Sequence, residues 1–175
     1  LYMAECESWT RGACRNKMCL VPEKCKDLKL GYARMMKLWD RVKRIPGVKH
    51  VFVGSGVRYD LLVDKYSDDF LKALCADHVS GQLKVAPEHN AQHVLRLMNK
   101  PPMRSYEAFA ARFDDMNKHL GKDQYLVNYF LSGHPGATLK DALDLAVYLA
   151  RKRISPEQIQ DYIPLPMTLA GCMYY

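Results

Sequence analysis

From Leu30 onward the apolar positions switch repeatedly between two periods. Tyr32, Met35, Met36, Trp39, Val42 and Ile45 recur at helical spacing and predict an amphipathic helix that stops at Pro46-Gly47. Residues 49–53 then read as a short strand, followed by Gly54-Ser55-Gly56. Phe70, Leu71 and Leu74 mark the buried side of a second helix, with Ser67 as its expected cap. A second strand is predicted over 82–86, closed by Pro87-Glu88-His89. Helical spacing resumes at Val94, Leu95 and Met98 and breaks at Pro101-Pro102. It returns from Ser105 through Tyr106, Phe109, Phe113, Met116 and Leu120, with Gly121 as the stop. A third strand over 125–131 runs into Ser132-Gly133-His134-Pro135-Gly136. Thr138 and Asp141 have capping-box spacing, and behind them Leu139, Ala142, Leu143, Ala146 and Leu149 line one face of a helix. A fourth strand is predicted over 158–163, ended by Pro164-Leu165-Pro166.

Strands separated by helices mark right-handed βαβ units and a parallel sheet, so the fold class is α/β. The pattern leaves an open doubly wound sheet and a part of a barrel as alternatives. Strand alternation adds detail. In the second strand Lys84, Ala86 and Glu88 share one face and Leu83 and Val85 the other. In the third, Asn128, Phe130, Ser132 and His134 are expected on the ligand-facing side, opposite Tyr125, Val127, Tyr129 and Leu131. In the fourth, Gln158, Gln160 and Tyr162 oppose Ile159 and Ile163. A strand buried on both sides would be apolar on both, so the mixed face suits a ligand-holding lumen. The alternative is that these polar groups satisfy one another inside the core.

Ligands of parallel α/β folds bind at the carboxyl ends of the strands. There Ser55, Arg58, Glu88, His89, Ser132 and His134 cluster among small residues. Each also has a bland role. Arg58 either clamps a carboxylate or pairs with Asp60 or Asp64. Glu88 either holds hydroxyl or amino groups or caps the next helix. His134, between Gly133 and Pro135, suits a turn better than proton transfer. His89 and His93 stand four apart without an intact HExxH, and the chain has no GxSxG, Walker loop or GxGxxG.

Composition changes the picture in two places. At 175 residues and 49% apolar the chain can bury a core. No segment has the roughly 20 apolar residues of a membrane span. The opening Leu1-Tyr2-Met3-Ala4 lacks the form of a signal peptide, so a cytoplasmic protein without membrane association is expected. The net charge of +7 lies wholly in residues 1–50, which hold twelve Lys/Arg against five Asp/Glu. Residues 11–49 are therefore either a solvated basic surface or a docking site for an anionic partner such as RNA or phosphate. Cys6, Cys14, Cys19 and Cys25 fall within twenty residues, and without a secretory signal they point to metal or redox chemistry. Zinc, an iron–sulfur cluster and four free thiols are the alternatives, since the spacing matches no common zinc ribbon or ferredoxin run. Cys75 is expected in the core.

Several segments resemble a known family. Leu95-Arg96-Leu97-Met98-Asn99-Lys100-Pro101, behind a strand ending Ala86-Pro87-Glu88-His89, is similar to the fourth-strand region of radical S-adenosylmethionine (SAM) barrels. The run from Phe130 to Thr138 resembles their fifth-strand end. Val53 to Asp60, Leu83 to His89, Tyr129 to Gly136 and Met173-Tyr174-Tyr175 resemble, in order, segments of the YgiQ-type family of radical SAM proteins. The cysteine group resembles that family's cysteine-bearing insert, and the likeness spans essentially the whole chain.

The resemblance implies the C-terminal portion of a partial TIM-type barrel: a cysteine-rich basic insert over 1–30, then about four βα units over 31–175. It implies an enzyme whose [4Fe–4S] cluster cleaves SAM to a 5′-deoxyadenosyl radical, acting on a substrate the residues do not identify. Ser55, Arg58, Glu88, His89, Ser132 and His134 would form the SAM-binding edge, and Cys6, Cys14, Cys19 and Cys25 an accessory metal site for zinc or a second cluster. The family's CxxxCxxC triplet is absent here, because Cys14, Cys19 and Cys25 have other spacings. The triplet is expected upstream of Leu1, the chain by itself is expected to be inactive, and its bare strand edges are expected to self-associate. Two competing readings remain: a non-catalytic metal-stapled module binding RNA or protein through its basic segment, and another α/β barrel enzyme using Glu88 and His89 as acid and base.

Overall fold

Three parallel strands carry the fold. A computed structural model describes residues 3–12, 14–21, 23–156 and 158–175, so Leu1, Tyr2, Ala13 and Pro22 of the 1–30 segment lie outside the described residues. Strands β1 (Gln82–Glu88), β2 (Tyr125–Ser132) and β3 (Gln158–Asp161) form one sheet in the order β1-β2-β3, both pairings parallel. Helices α1 (Tyr32–Lys43) and α2 (Asp68–Ala73) precede the sheet. Helices α3 (Gln92–Leu97) and α4 (Met103–Leu120) connect β1 to β2, α5 (Leu139–Lys152) connects β2 to β3, and α6 (Leu169–Tyr174) closes the chain. The α/β class and the parallel pairing agree with the alternating periods.

Local chemistry explains the helix ends. Gly121 takes the left-handed conformation (φ 61°) that ends α4, where a side chain would be strained. The capping box of α5 is complete: Asp141 N donates to Thr138 Oγ1 at 3.3 Å, and Thr138 N donates to Asp141 Oδ2 at 2.8 Å. Ser67 is not the cap it was expected to be. Its hydroxyl donates back to the Asp64 carbonyl at 2.7 Å, and the Asp64 side chain accepts from Tyr66 N at 3.0 Å to start a preceding 3-10 turn.

Among the described residues the sheet has three strands and not four. Residues 49–53 form no ladder. Val53 N donates to His78 O at 2.9 Å and Val57 N to Lys84 O at 3.0 Å, with Gly54 and Gly56 between those contacts. Glycines contribute little to strand pairing, so the segment runs beside β1 with only one bond to it. Past α2 the chain makes a π-helical turn over Leu74–His78. There Cys75 is buried, as expected, and burial pushes its thiol up to about 12.

One sheet face is covered and the other open. Leu83, Val85 and Phe130 pack in a core with Phe70 and Leu71 of α2 and Tyr106, Phe109 and Phe113 of α4. Register places the β2 residues on faces opposite to those expected. Val85 pairs with Asn128 and Lys84 with Val127, so Asn128 and Phe130 face the helices, while Tyr125, Val127 and Tyr129 share the open face with Gln82 and Lys84. Tyr129 pairs with Gln158 and Leu131 with Gln160, which extends that face to β3. The inversion has a plain cause: Asn128 Oδ1 accepts from the Tyr106 hydroxyl at 2.8 Å inside the core. On the open side Gln82 bonds to the Tyr125 hydroxyl, and the Tyr129 hydroxyl to Gln160.

The apolar stripe expected on α5 is only partly buried. Leu149 is in the core, whereas Leu139 and Leu143 are 78% and 59% exposed. The four residues of β3 are themselves exposed and leave most of that stripe uncovered.

Candidate functional site

The carboxyl edge of the sheet holds the candidate site, and Glu88 is its most distinctive residue. The β1–β2 register runs regularly from Gln82↔Tyr125 to Val85↔Asn128 and then shifts, so that Glu88 pairs with Phe130. The extra residue is a bulge. His89 N donates to Pro87 O at 2.8 Å across Glu88, whose φ is 68°. That is a γ-turn of the strained hand at a residue with a Cβ, an arrangement costing roughly 1–3 kcal/mol and concentrated at functional sites. The Glu88 carboxylate accepts from Lys100 Nζ at 2.9 Å, and its side chain is only 14% exposed.

Next to Glu88 in the chain, His89 feels the charges of two further histidines, His93 and His134, and of Asp141. His89 is buried, and its Nδ1 accepts from Ala91 N at 3.0 Å, so the neutral ring carries its proton on Nε2. Burial holds its pKa below the ordinary value, opposed by Asp141 and reinforced by His93 and His134. His93 Nε2 lies 3.2 Å from Asp141 Oδ2. Asp141 is held below the usual carboxylate range, chiefly by its hydrogen bonds from Thr138. His134 is buried and donates from Nδ1 to Pro135 O at 2.8 Å, its ring edge-on to Tyr162 with centroids 5.3 Å apart. Gly133 and Gly136 flank it at φ 71° and 87°, and a Cβ on Gly136 would come within 2.5 Å of Leu97 Cδ1.

The structure gathers some of the expected residues and separates others. Glu88, His89, Ser132 and His134 end adjacent strands, and His89 and Ser132 line one cavity of about 400 Å³ beside α5. Ser55 and Arg58 line a different cavity, about 380 Å³, against Met35, Trp39 and Phe70. Arg58 forks onto Asp60 at 2.7 and 3.1 Å, the second of its two expected roles. Glu88 does not cap α3, whose N-cap is Ala91. Among the described residues, five buried side-chain atoms have no hydrogen-bond partner; Asn90 Oδ1 and Tyr162 Oη follow the ends of β1 and β3, and Tyr59 Oη sits in the aromatic core beside Tyr106. Burial raises the pKa of Tyr59, with Asp60 adding to it, so its hydroxyl stays protonated as a donor.

The four clustered cysteines are free, and they lie in the 3–30 loop, not at the strand ends. Among the described residues no group of three or more His, Cys, Asp or Glu stands ready-made to hold a metal ion. No helix of the described residues is long and apolar enough to cross a membrane.

Sequence comparison adds the family context. Over its whole length the chain is 48% identical to a UPF0313 protein of Methanosarcina mazei and 47% identical to one of Methanocella arvoryzae. Over 94% of its length it is 45% identical to a UPF0313 protein of Clostridium botulinum. The chain is similar to UPF0313 proteins. It spans 28%, 29% and 26% of those three relatives respectively, so it corresponds to a segment of each. No family model matches the chain.

Within this UPF0313-like segment, three site features escaped the sequence reading. Lys100, the partner of Glu88, lies twelve residues downstream with no periodic link to it. The capping-box spacing accounts for Asp141 as a cap, yet the same carboxylate also holds His93. Strand alternation assigns Tyr162 a face but gives no sign of its ring against His134. The positive φ of Glu88 has no signal in the residue type, because glycine would be the usual occupant.

Proposed function

We propose that this chain forms later βα units of a radical SAM enzyme's barrel, with its strand ends contributing one edge of the SAM cradle. The observation that carries the proposal is Glu88, a carboxylate held in a strained turn on a bulge at the carboxyl end of a parallel strand. The unpartnered Asn90 and Tyr162 atoms support it, and so does the open face of tyrosines and glutamines in a sheet wound in one direction.

The chain's own groups fit SAM in part. Glu88 accepts from ribose hydroxyls or the amino group, exchanging its bond to Lys100 for them. The Ser132 hydroxyl and the protonated Tyr59 offer donors to the ligand's polar atoms. His89, neutral and tied to Ala91 N, shapes the turn and is not the proton carrier of an acid–base pair with Glu88. The cluster does not fit this chain: the loop cysteines lack the CxxxCxxC spacing and lie off the strand ends, so no step is routed through them. When bound together, SAM and a reduced [4Fe–4S] cluster supply a carbon radical that removes hydrogen from substrate.

The test is anaerobic assay of the full-length protein after iron and sulfide reconstitution, following 5′-deoxyadenosine with dithionite as reductant. SAM-dependent formation of that product is expected, with a large loss in Glu88→Gln. No product from the reconstituted wild type would overturn the proposal.

A further inference from the structure

The loop over residues 3–30 has almost no core of its own. Among its described residues only Leu28 is buried, and the 3-10 helix Glu7–Arg11 buries none. Its ends are nevertheless clamped. Glu5 N donates to Lys29 O at 2.8 Å and Lys29 N to Glu5 O at 2.9 Å, an antiparallel bridge that sets Cys6 beside the Cys25–Leu28 turn. Within the loop Cys25 N donates to Cys19 O at 2.8 Å, and Leu28 N to Cys25 O at 3.1 Å. The result is that Cys6, Cys14, Cys19 and Cys25 all line one cavity of about 80 Å³, walled by Trp9 and Leu28.

We propose that these four cysteines form a tetrathiolate site for a single zinc ion that orders the loop. Four thiolates complete the tetrahedral set that Zn²⁺ prefers, and a full set leaves no open position, so the role is structural and not catalytic. Binding draws the thiols closer than they now stand, since no ready-made ligand group exists among the described residues. Coupling of metal capture to loop ordering is the usual behaviour of segments that lack a core.

Charge fits as well. Four thiolates around a divalent ion leave a net negative centre. Residues 6–30 supply Arg11, Arg15, Lys17, Lys24, Lys26 and Lys29 against only Glu7, Glu23 and Asp27. Part of the basic surplus, the share within this loop, thus has an intramolecular anion to balance. Nothing in the site depends on the SAM proposal.

The test uses the whole 175-residue chain, purified without added metal and desalted. Plasma mass spectrometry should find about one zinc per chain. The four loop thiols should resist a thiol reagent until a chelator is added, and the chelated loop should become open to trypsin between Arg11 and Lys29. Exchange with Co²⁺ should produce sulfur-to-cobalt charge-transfer bands and intense tetrahedral ligand-field absorption. Cys19→Ser should lose the metal and Cys172→Ser should keep it. If Cys19→Ser does not fold, the wild-type zinc content and cobalt spectrum decide alone. A metal-free wild type with freely reactive loop thiols would overturn the proposal, and so would iron with acid-labile sulfide in place of zinc.

Discussion

The two faces of the sheet carry similar polar groups to different ends. On the covered face Asn128 and Tyr106 bond to each other at 2.8 Å within an aromatic core. On the open face Tyr129 and Gln160 bond side by side, with all four residues of β3 exposed. The first pair lets a polar residue live inside; the second ties two polar side chains together on an exposed strand pair. Polarity alone therefore does not identify a functional face. Register does, because a single Cα pairing, Val85 with Asn128, assigns every β2 side chain to its side.

That contrast can be broken most forcefully at Phe130. It is fully buried on the covered face, and Phe130→Ala should cost about 3–5 kcal/mol in urea unfolding. A cost below about 1 kcal/mol would mean that Phe130 faces outward as the alternation first suggested. Next comes Asn128→Ala, which leaves the buried Tyr106 hydroxyl without its acceptor and should cost about 1–3 kcal/mol. Adding Tyr106→Phe should recover part of that loss, and a purely additive double mutant would deny the coupling. Thr138→Ala removes the cap of α5 and should cost about 1 kcal/mol by thermal unfolding, well short of the core change.

Acid sharpens the same contrast. The buried His89 has a folded-state pKa below its ordinary 6.5, so the unfolded chain binds its proton more readily. Its contribution to stability is full above pH 6.5 and falls as pH drops toward the lowered value. Melting temperatures across pH 5 to 8 should show this loss on the acid side, and His89→Gln should flatten it. The smallest effect is expected on the open face, where Gln160→Ala should change stability by less than about 0.5 kcal/mol. A large loss there would mean that the face is part of the core.

The end of α4 and the start of α5 were legible because their determinants are local. Gly121 and the Thr138–Asp141 box each act within four residues. The strand ends were legible for a similar reason, as each apolar run stops at Gly, Pro or both. What escaped was set by distant partners. Tyr106 lies 22 residues before Asn128, and nothing in the β2 alternation reveals that it neutralises that amide. The strand expected over 49–53 has the right residues, but strand formation needs a neighbour in register, and only Val57 reaches β1. In the candidate site the residue types at the strand ends were visible, while the strained turn at Glu88 and its bond to Lys100 were not.

The central claim is that the strand-end edge around Glu88 holds SAM. Its most direct test is equilibrium binding of SAM to the full-length, anaerobically reconstituted protein, wild type against Glu88→Gln. Loss of a charge-assisted hydrogen bond predicts affinity weaker by about tenfold or more, with the fold intact. Equal affinity in the two proteins would contradict the account.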